Sequence, residues 1–139
     1  MLAQARVPLP EAQVQVVLLK DSLDMTDADR EALRAAAAAA PEPRLIITHG
    51  TDTMVESARH LAQAKLGKTI VFVGAMVPYS FGQSDGLFNL GLAFAAVQLL
   101  PRDVFIAMNG RIFRWDAVRK NKAAGMFEST ETPELDTPK

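Results

Sequence analysis

At 139 residues the chain can bury one sizeable core and not two, and 49% hydrophobic with 22% charged residues excludes a disordered chain. Its 15 basic and 16 acidic residues leave a net charge of -1, which gives no broad field for nucleic acid or an anionic membrane and suits a small neutral or zwitterionic ligand. There is no cysteine, which excludes disulfides and thiolate zinc sites, and His49 and His60 lack the spacing of a helical metal pair, so no metal is implied.

The opening MLAQARVPLPEAQ has one Arg and no sustained apolar stretch, so it carries no legible secretory signal and the cytoplasm is the expected compartment. No apolar run approaches the roughly 18 residues that cross a bilayer. Residues 14–19, VQVVLL, are apolar and rich in β-branched side chains, and are expected as a strand buried on both faces of a parallel sheet. Thr26 with Asp29 three residues on predicts a capping box. The alanine-rich stretch behind it predicts a helix over 27–39, ended by Pro41 and Pro43. LIITHG, 45–50, is the next strand, TMVESARHLAQAKLG a helix with Gly67 placed for a left-handed cap, and TIVFVGA, 69–75, a further strand. After the loop MVPYSFGQS, the segment DGLFNLGLAFAAVQLL has apolar positions at helical spacing, and DVFIAMNG, 103–110, reads as a strand. RIFRWDAVRKNKAAGMF is expected as a loop with a small hairpin or turn. The polar, Pro-containing end is expected as a flexible tail, giving one domain over 1–128 and a tail over 129–139. Strands alternating with helices predict a parallel sheet with helices on both faces.

In an open parallel sheet the ligand crevice lies beyond the carboxyl ends of the strands. The residues expected there are polar. Lys20, Asp21, Ser22 and Asp24 follow the first run, and His49, Gly50, Thr51, Asp52 and Thr53 the second. Ser80, Ser84 and Asp85 follow the third, and Asn109 and, further on, Arg119 and Lys120 the fourth. THGTDTM carries most information. Spacing alone favours a strand-to-helix turn in which Gly50 relaxes the backbone and Thr51 or Asp52 caps the helix. The functional alternative needs a threonine hydroxyl, too weak a nucleophile by itself, beside a lysine that can take its proton and a carboxylate that holds the lysine. Thr51, Lys120 and Asp52 are the candidates.

THGTDTMVESA, VGAM, SDGLFNL, AMNG and VRKNK together resemble, in order and spacing, the N-terminal domain of bacterial L-asparaginases. The resemblance implies a three-layer α/β fold of Rossmann or flavodoxin-like type. It implies an amidohydrolase that needs no cofactor, acts on L-asparagine to release aspartate and ammonia, and assembles as a homo-oligomer, dimer or tetramer, with the apolar helix 86–100 available as a contact. In that family a threonine, an aspartate and a lysine activate the attacking group or water, and these correspond to Thr51, Asp52 and Lys120. Ser22, opening DSLDM, corresponds to the serine that grips the substrate α-carboxylate. The same resemblance implies that Asp52 also holds a charged group of the substrate and that Ala75 of VGAM lies beside the scissile amide. The implied partner is this small molecule, with neither nucleic acid nor a membrane.

The chain departs from the pattern in several places. The family opens with a strand and a T-G-G-T turn whose first threonine accepts the acyl group, then a mobile loop with an activating tyrosine; neither is found here. Leu23 stands where a glutamine commonly follows the serine, and Val77 where an arginine often follows GAM. The second domain of large asparaginases is not expected here, and short single-domain relatives offer a pattern without it. The first strand of a doubly wound sheet usually lies centrally, so its loss leaves backbone groups on its neighbours unpaired, at about 1–3 kcal/mol each if buried. Either the protein starts upstream of Met1, or a segment of another chain fills the slot, or the sheet is rebuilt, and of these an upstream start is the expectation. Two other readings stand beside the enzyme: an inactive amino-acid-binding or interaction domain without the nucleophile strand, and an asparaginase-type subunit linked to an amidotransferase and tRNA, against which the near-neutral charge counts.

Other residues have plainer explanations. Tyr79 offers a substitute hydroxyl, yet a loop tyrosine is more often a packing residue. His49 is read as a hydrogen-bonded structural histidine. Arg111, Arg114, Arg119, Lys120 and Lys122, with Phe113 and Trp115 among them, form a pattern that suits RNA but in a near-neutral chain is usually a solvated loop. Asp24, Asp27 and Asp29 lack the glycine and final glutamate of a calcium loop, and helix capping accounts for them.

Overall fold

The structure is a computed structural model and describes residues 1–8 and 13–131. Its first helix, α1, spans Asp27–Ala39, as expected. The Asp29 amide donates to the Thr26 hydroxyl, and the Asp29 carboxylate accepts from the Thr26 amide at 2.8 Å, so both halves of the capping box form. Then follow β1 (Arg44–Thr48), α2 (Met54–Gln63), β2 (Thr69–Val73), α3 (Gly86–Leu99), β3 (Val104–Met108), β4 (Arg111–Arg114), β5 (Val118–Asn121) and β6 (Met126–Ser129). Gly67 has the left-handed φ expected of it, 68°, a few residues past α2.

The main sheet has the order β1-β2-β3-β4, with the first three strands parallel and β4 antiparallel. Every residue of β2 and β3 is buried, which is why TIVFV and VFIAM read as unbroken apolar runs. On one face Leu33 and Ala37 of α1 and Met54, Ala58 and Leu61 of α2 pack against Ile70, Phe72, Ile106 and Met108. On the other, Leu90, Ala93 and Val97 of α3 cover Val71, Val73, Phe105 and Ala107. The period-two alternation of each strand thus feeds two cores, and the fold is the three-layer, mainly parallel α/β arrangement that was expected.

The segment 111–127 is more ordered than a loop. Asn109 and Gly110 have φ of 55° and 72°, the paired left-handed conformation of a two-residue hairpin turn, and this folds β4 directly back on β3. Strands β5 and β6 form the separate hairpin. The tail expected from residue 129 lies, from 132 onwards, outside the described residues, and β6 itself runs through Ser129.

Residues 14–19 do not form the expected strand. Val14, Val16 and Leu19 are 70%, 68% and 94% exposed, and of this run Val17 packs on the core. A strand exists only through its hydrogen-bonded neighbour, and β1, the nearest candidate, ends the sheet with its outer edge unpaired among the described residues. Apolar composition alone does not supply that partner.

Candidate active site

The end of β1 and the end of β2 are tied together before the chain turns. The His49 amide donates to the Val73 carbonyl at 2.9 Å, extending the parallel pairing one step beyond Thr48. Two glycines then allow very close approach. A Cβ on Gly50 would stand 2.6 Å from Ser22 Oγ, and one on Gly74 would stand 2.4 Å from the His49 carbonyl and 3.3 Å from the Thr51 methyl. Ser22, the 50–53 loop and the Gly74–Ala75 turn are thereby gathered at one end of the sheet.

The loop does not use Thr51 or Asp52 to cap α2, which corrects what spacing alone favoured. Thr53 is the N-cap, its side chain makes no capping bond, and its hydroxyl instead donates to the Ser22 carbonyl at 2.7 Å. Thr51 and Asp52 are both turned to Lys120, whose Nζ donates to Thr51 Oγ1 at 2.8 Å and to Asp52 Oδ1 at 2.7 Å. The Lys120 and Asp52 side chains are 13% and 32% exposed, so the pair is partly desolvated. The Lys120 hydrogen bond, aided by the charges of Lys120 and Lys122 and opposed by partial burial, holds the Asp52 carboxyl below its usual range. With Lys120 donating to Thr51 Oγ1, the threonine keeps its own hydroxyl proton available for another acceptor.

Lys120 reaches the loop because β5 is anchored from two sides. Phe127 of β6 is 2% exposed in the core beneath α2, and its amide donates to the Asn109 side chain at 2.8 Å. Across the hairpin Glu128 accepts from Arg119 at 2.7 Å and from Asn121 at 3.2 Å.

Of the sequence candidates, Lys120 contacts both Thr51 and Asp52, Ser22 lies against the same loop, and Ala75 follows Gly74, the residue that closes on that loop. Ser22 is 2% exposed, and both its side chain and its carbonyl face the loop. Several of the remaining polar residues after the strands have other partners. Lys20 pairs with Asp29, Asp21 accepts from the Leu23 amide, Arg119 pairs with Glu128, and Ser84 donates to the Val77 carbonyl. Tyr79 donates to Gln4. Asp27 holds Arg30, so with Asp29 it serves the start of α1. Arg114 of the basic stretch closes on Asp116.

His49 is structural in detail. A carbonyl only accepts, so His49 Nδ1 carries the proton donated to the Gly50 carbonyl at 2.6 Å, and Nε2 accepts from the Ser57 hydroxyl at 2.8 Å. Its ring meets Phe72 edge-on with centroids 5.7 Å apart. Burial, with Arg30 nearby adding to it, pushes its pKa below 6.5, against weaker opposing influences from Gly50 and Glu56. Sequence reasoning places Asp85 among the polar residues after a strand but misses Ser57 and Asn89, which sit inside helices and carry no local signal.

A shallow concavity of about 440 Å³ between β4 and Ser129 shares no residue with this group. No helix among the described residues is long and apolar enough to cross a membrane.

These features define an open α/β domain with a hydroxyl, an ammonium and a carboxylate joined at the carboxyl ends of its parallel strands. The chain belongs to the asparaginase family, since residues 2–138 match the family described as Asparaginase, N-terminal. It is 31% identical over 122 residues to L-asparaginase 1 of Escherichia coli strain K12, covering 84% of this chain and 36% of that protein. It resembles the crystal structure of L-asparaginase I from Vibrio cholerae with a TM-score of 0.76 and 29% identity, covering 94% of this chain and 44% of that one. A probable cytoplasmic L-asparaginase from Campylobacter jejuni matches with a TM-score of 0.71 and 31% identity, covering 83% of this chain and 38% of that one. The chain thus spans less than half the length of these relatives.

Proposed function

We propose that this chain carries the amide-hydrolysing site of an asparaginase and acts on L-asparagine. The carrying observation is the bridge from Lys120 Nζ to both Thr51 Oγ1 and Asp52 Oδ1. In its free-amine form Lys120 takes the Thr51 proton while Thr51 takes one from the attacking water. The water oxygen bonds to the side-chain carbonyl carbon, the carbon–nitrogen bond breaks, and a proton returns through Lys120 to the departing ammonia, leaving aspartate. Asp52, held ionised, keeps Lys120 in place and offers negative charge to the substrate ammonium. Ser22 is enclosed as it stands, so its grip on the α-carboxylate requires the 22–24 turn to open. The same reading makes the protein a cytoplasmic dimer or tetramer in contact through α3, whose Phe88 and Leu99 are 66% and 84% exposed. No cofactor takes part.

A second reading, an inactive amino-acid-binding or interaction domain, draws on the outer edge of β1 and the 14–19 run, both unpaired among the described residues, since the resemblance leads one to expect a threonine-bearing strand. Ammonia release from L-asparagine by the purified chain, with Lys120→Met as control, separates the two. Release that the variant loses supports hydrolysis at Thr51. Binding without release favours the second reading if an added T-G-G-T strand leaves the chain inactive, and the first if that strand restores release.

A further inference from the structure

Asp85 stands before α3, yet its side chain does not cap that helix. It reaches back to the loop after β2, where Oδ2 accepts from the Met76 amide and Oδ1 from the Val77 amide, each at 3.0 Å. One turn along α3, the fully buried Asn89 donates to the Gly74 carbonyl at 3.0 Å and to Asp85 Oδ2 at 2.9 Å. The backbone is therefore held on both sides of Ala75, by the carbonyl before it and by two amides after it. Gly86 closes in from the α3 side, where a Cβ would stand 3.4 Å from that of Ala75.

Such a clamp is stiff. Bonds to an ionised carboxylate are roughly twice as strong as those between neutral groups. Burial acts to raise the Asp85 pKa, but the Met76 and Val77 amides and Asn89 together hold it below the usual range, so the carboxylate is charged at neutral pH. Gly74 in turn lies 3.3 Å from the Thr51 methyl, measured to its added Cβ, so the clamped turn forms the wall beside Thr51.

We propose that Asp85, together with Asn89, is a positioning residue that fixes the Ala75 turn against Thr51 and so sets the width of the ligand cleft. It acts through the backbone of residues 74–77 and touches no ligand itself. This rests on the amino-acid-site reading above.

The test uses the full chain, wild type and Asp85→Asn, which keeps the shape but replaces one accepting oxygen with a donor. Titration with L-aspartate, followed by NMR, should show a Kd at least about tenfold weaker in the variant, from displacement of the cleft wall. If the wild type turns over L-asparagine, KM should rise more than kcat falls, which a general loss of stability would not produce. A wild type that binds and a variant that binds equally well overturn the role of Asp85 alone. A wild type that binds neither amino acid overturns the amino-acid site, and with it any role of Asp85 there. Hydrogen exchange on the wild type covers the case of a variant that fails to fold. The Met76 and Val77 amides should be protected at neutral pH, and exchange at open-loop rates would show that the clamp does not exist.

Discussion

Lys120 Nζ stands 2.8 Å from Thr51 Oγ1 across 69 residues of sequence, and the same nitrogen holds Asp52 one residue further on. A lysine side chain loses rotamer entropy to be fixed in this way, and here two acceptors and partial burial offset that loss. Lys120→Met keeps the apolar stem and removes the proton carrier. If the chain hydrolyses asparagine, the variant should lose about 10²–10⁴-fold in kcat, as for removal of a general acid–base group. Thr51→Val should lose a comparable factor with little change in fold, and near-normal turnover in either variant would remove this group from the chemistry.

Asn109 combines a left-handed φ of 55° with the bond that receives the Phe127 amide at 2.8 Å. Asn109→Gly keeps the turn and loses the bond, whereas Asn109→Ala loses both. We expect the alanine variant to be destabilised by about 1–3 kcal/mol in urea unfolding and the glycine variant by less. Both should weaken ligand binding, because the hairpin that carries Lys120 is released. Equal stability of Ala and Gly variants would show that the backbone strain is immaterial.

His49 is held neutral by burial, with its folded pKa below the 6.5 of a free imidazole. The unfolded chain therefore binds more protons as pH falls through 6.5, and the stability this residue contributes, present above that value, declines as pH drops towards the folded pKa. Chemical denaturation between pH 7.5 and about 5 should show this slope, and His49→Gln should flatten it. An NMR titration of His49 with its midpoint at or above 6.5 would contradict the assignment.

Asp29 closes the capping box and pairs with Lys20 at 2.7 Å. The Lys20 hydrogen bond first, then the Thr26 amide, hold its carboxyl down from 3.8 to about 2. A depressed folded pKa means that its contribution is complete above 3.8 and is lost as pH falls towards 2. Thr26→Ala should cost about 0.5–2 kcal/mol by removing the cap, and it should move the Asp29 titration upwards. An unchanged titration would show that the Thr26 hydroxyl plays no part and that Lys20 and the Thr26 amide set it.

Much of this was legible in the residues. Thr26 and Asp29 marked the start of α1 because capping is a local interaction within three residues. The runs at 69–73 and 104–108 marked buried strands because both their faces are covered. Asn109-Gly110 is a hairpin signal of equal strength, yet DVFIAMNG reads as a strand that ends there and the segment behind it as a loop with a small hairpin or turn, so β4 comes only with the structure. Residues 14–19 have strand composition and no strand, because composition states what a segment can bury and not whether a neighbour exists to pair with it.

For the site, the sequence by itself determined the chemical types and their order: a threonine and an aspartate after one strand, a lysine in a late basic stretch, a serine before the first helix. Only the tertiary structure decided that Thr51 and Asp52 face Lys120 and do not cap α2, because a cap and a distant lysine compete for the same oxygens and the winner depends on where β5 lies. It also decided that Asp85 and Asn89 grip the Ala75 turn. Local periodicity says nothing of contacts made across helix, sheet and hairpin, and these are the contacts that place every group at this site.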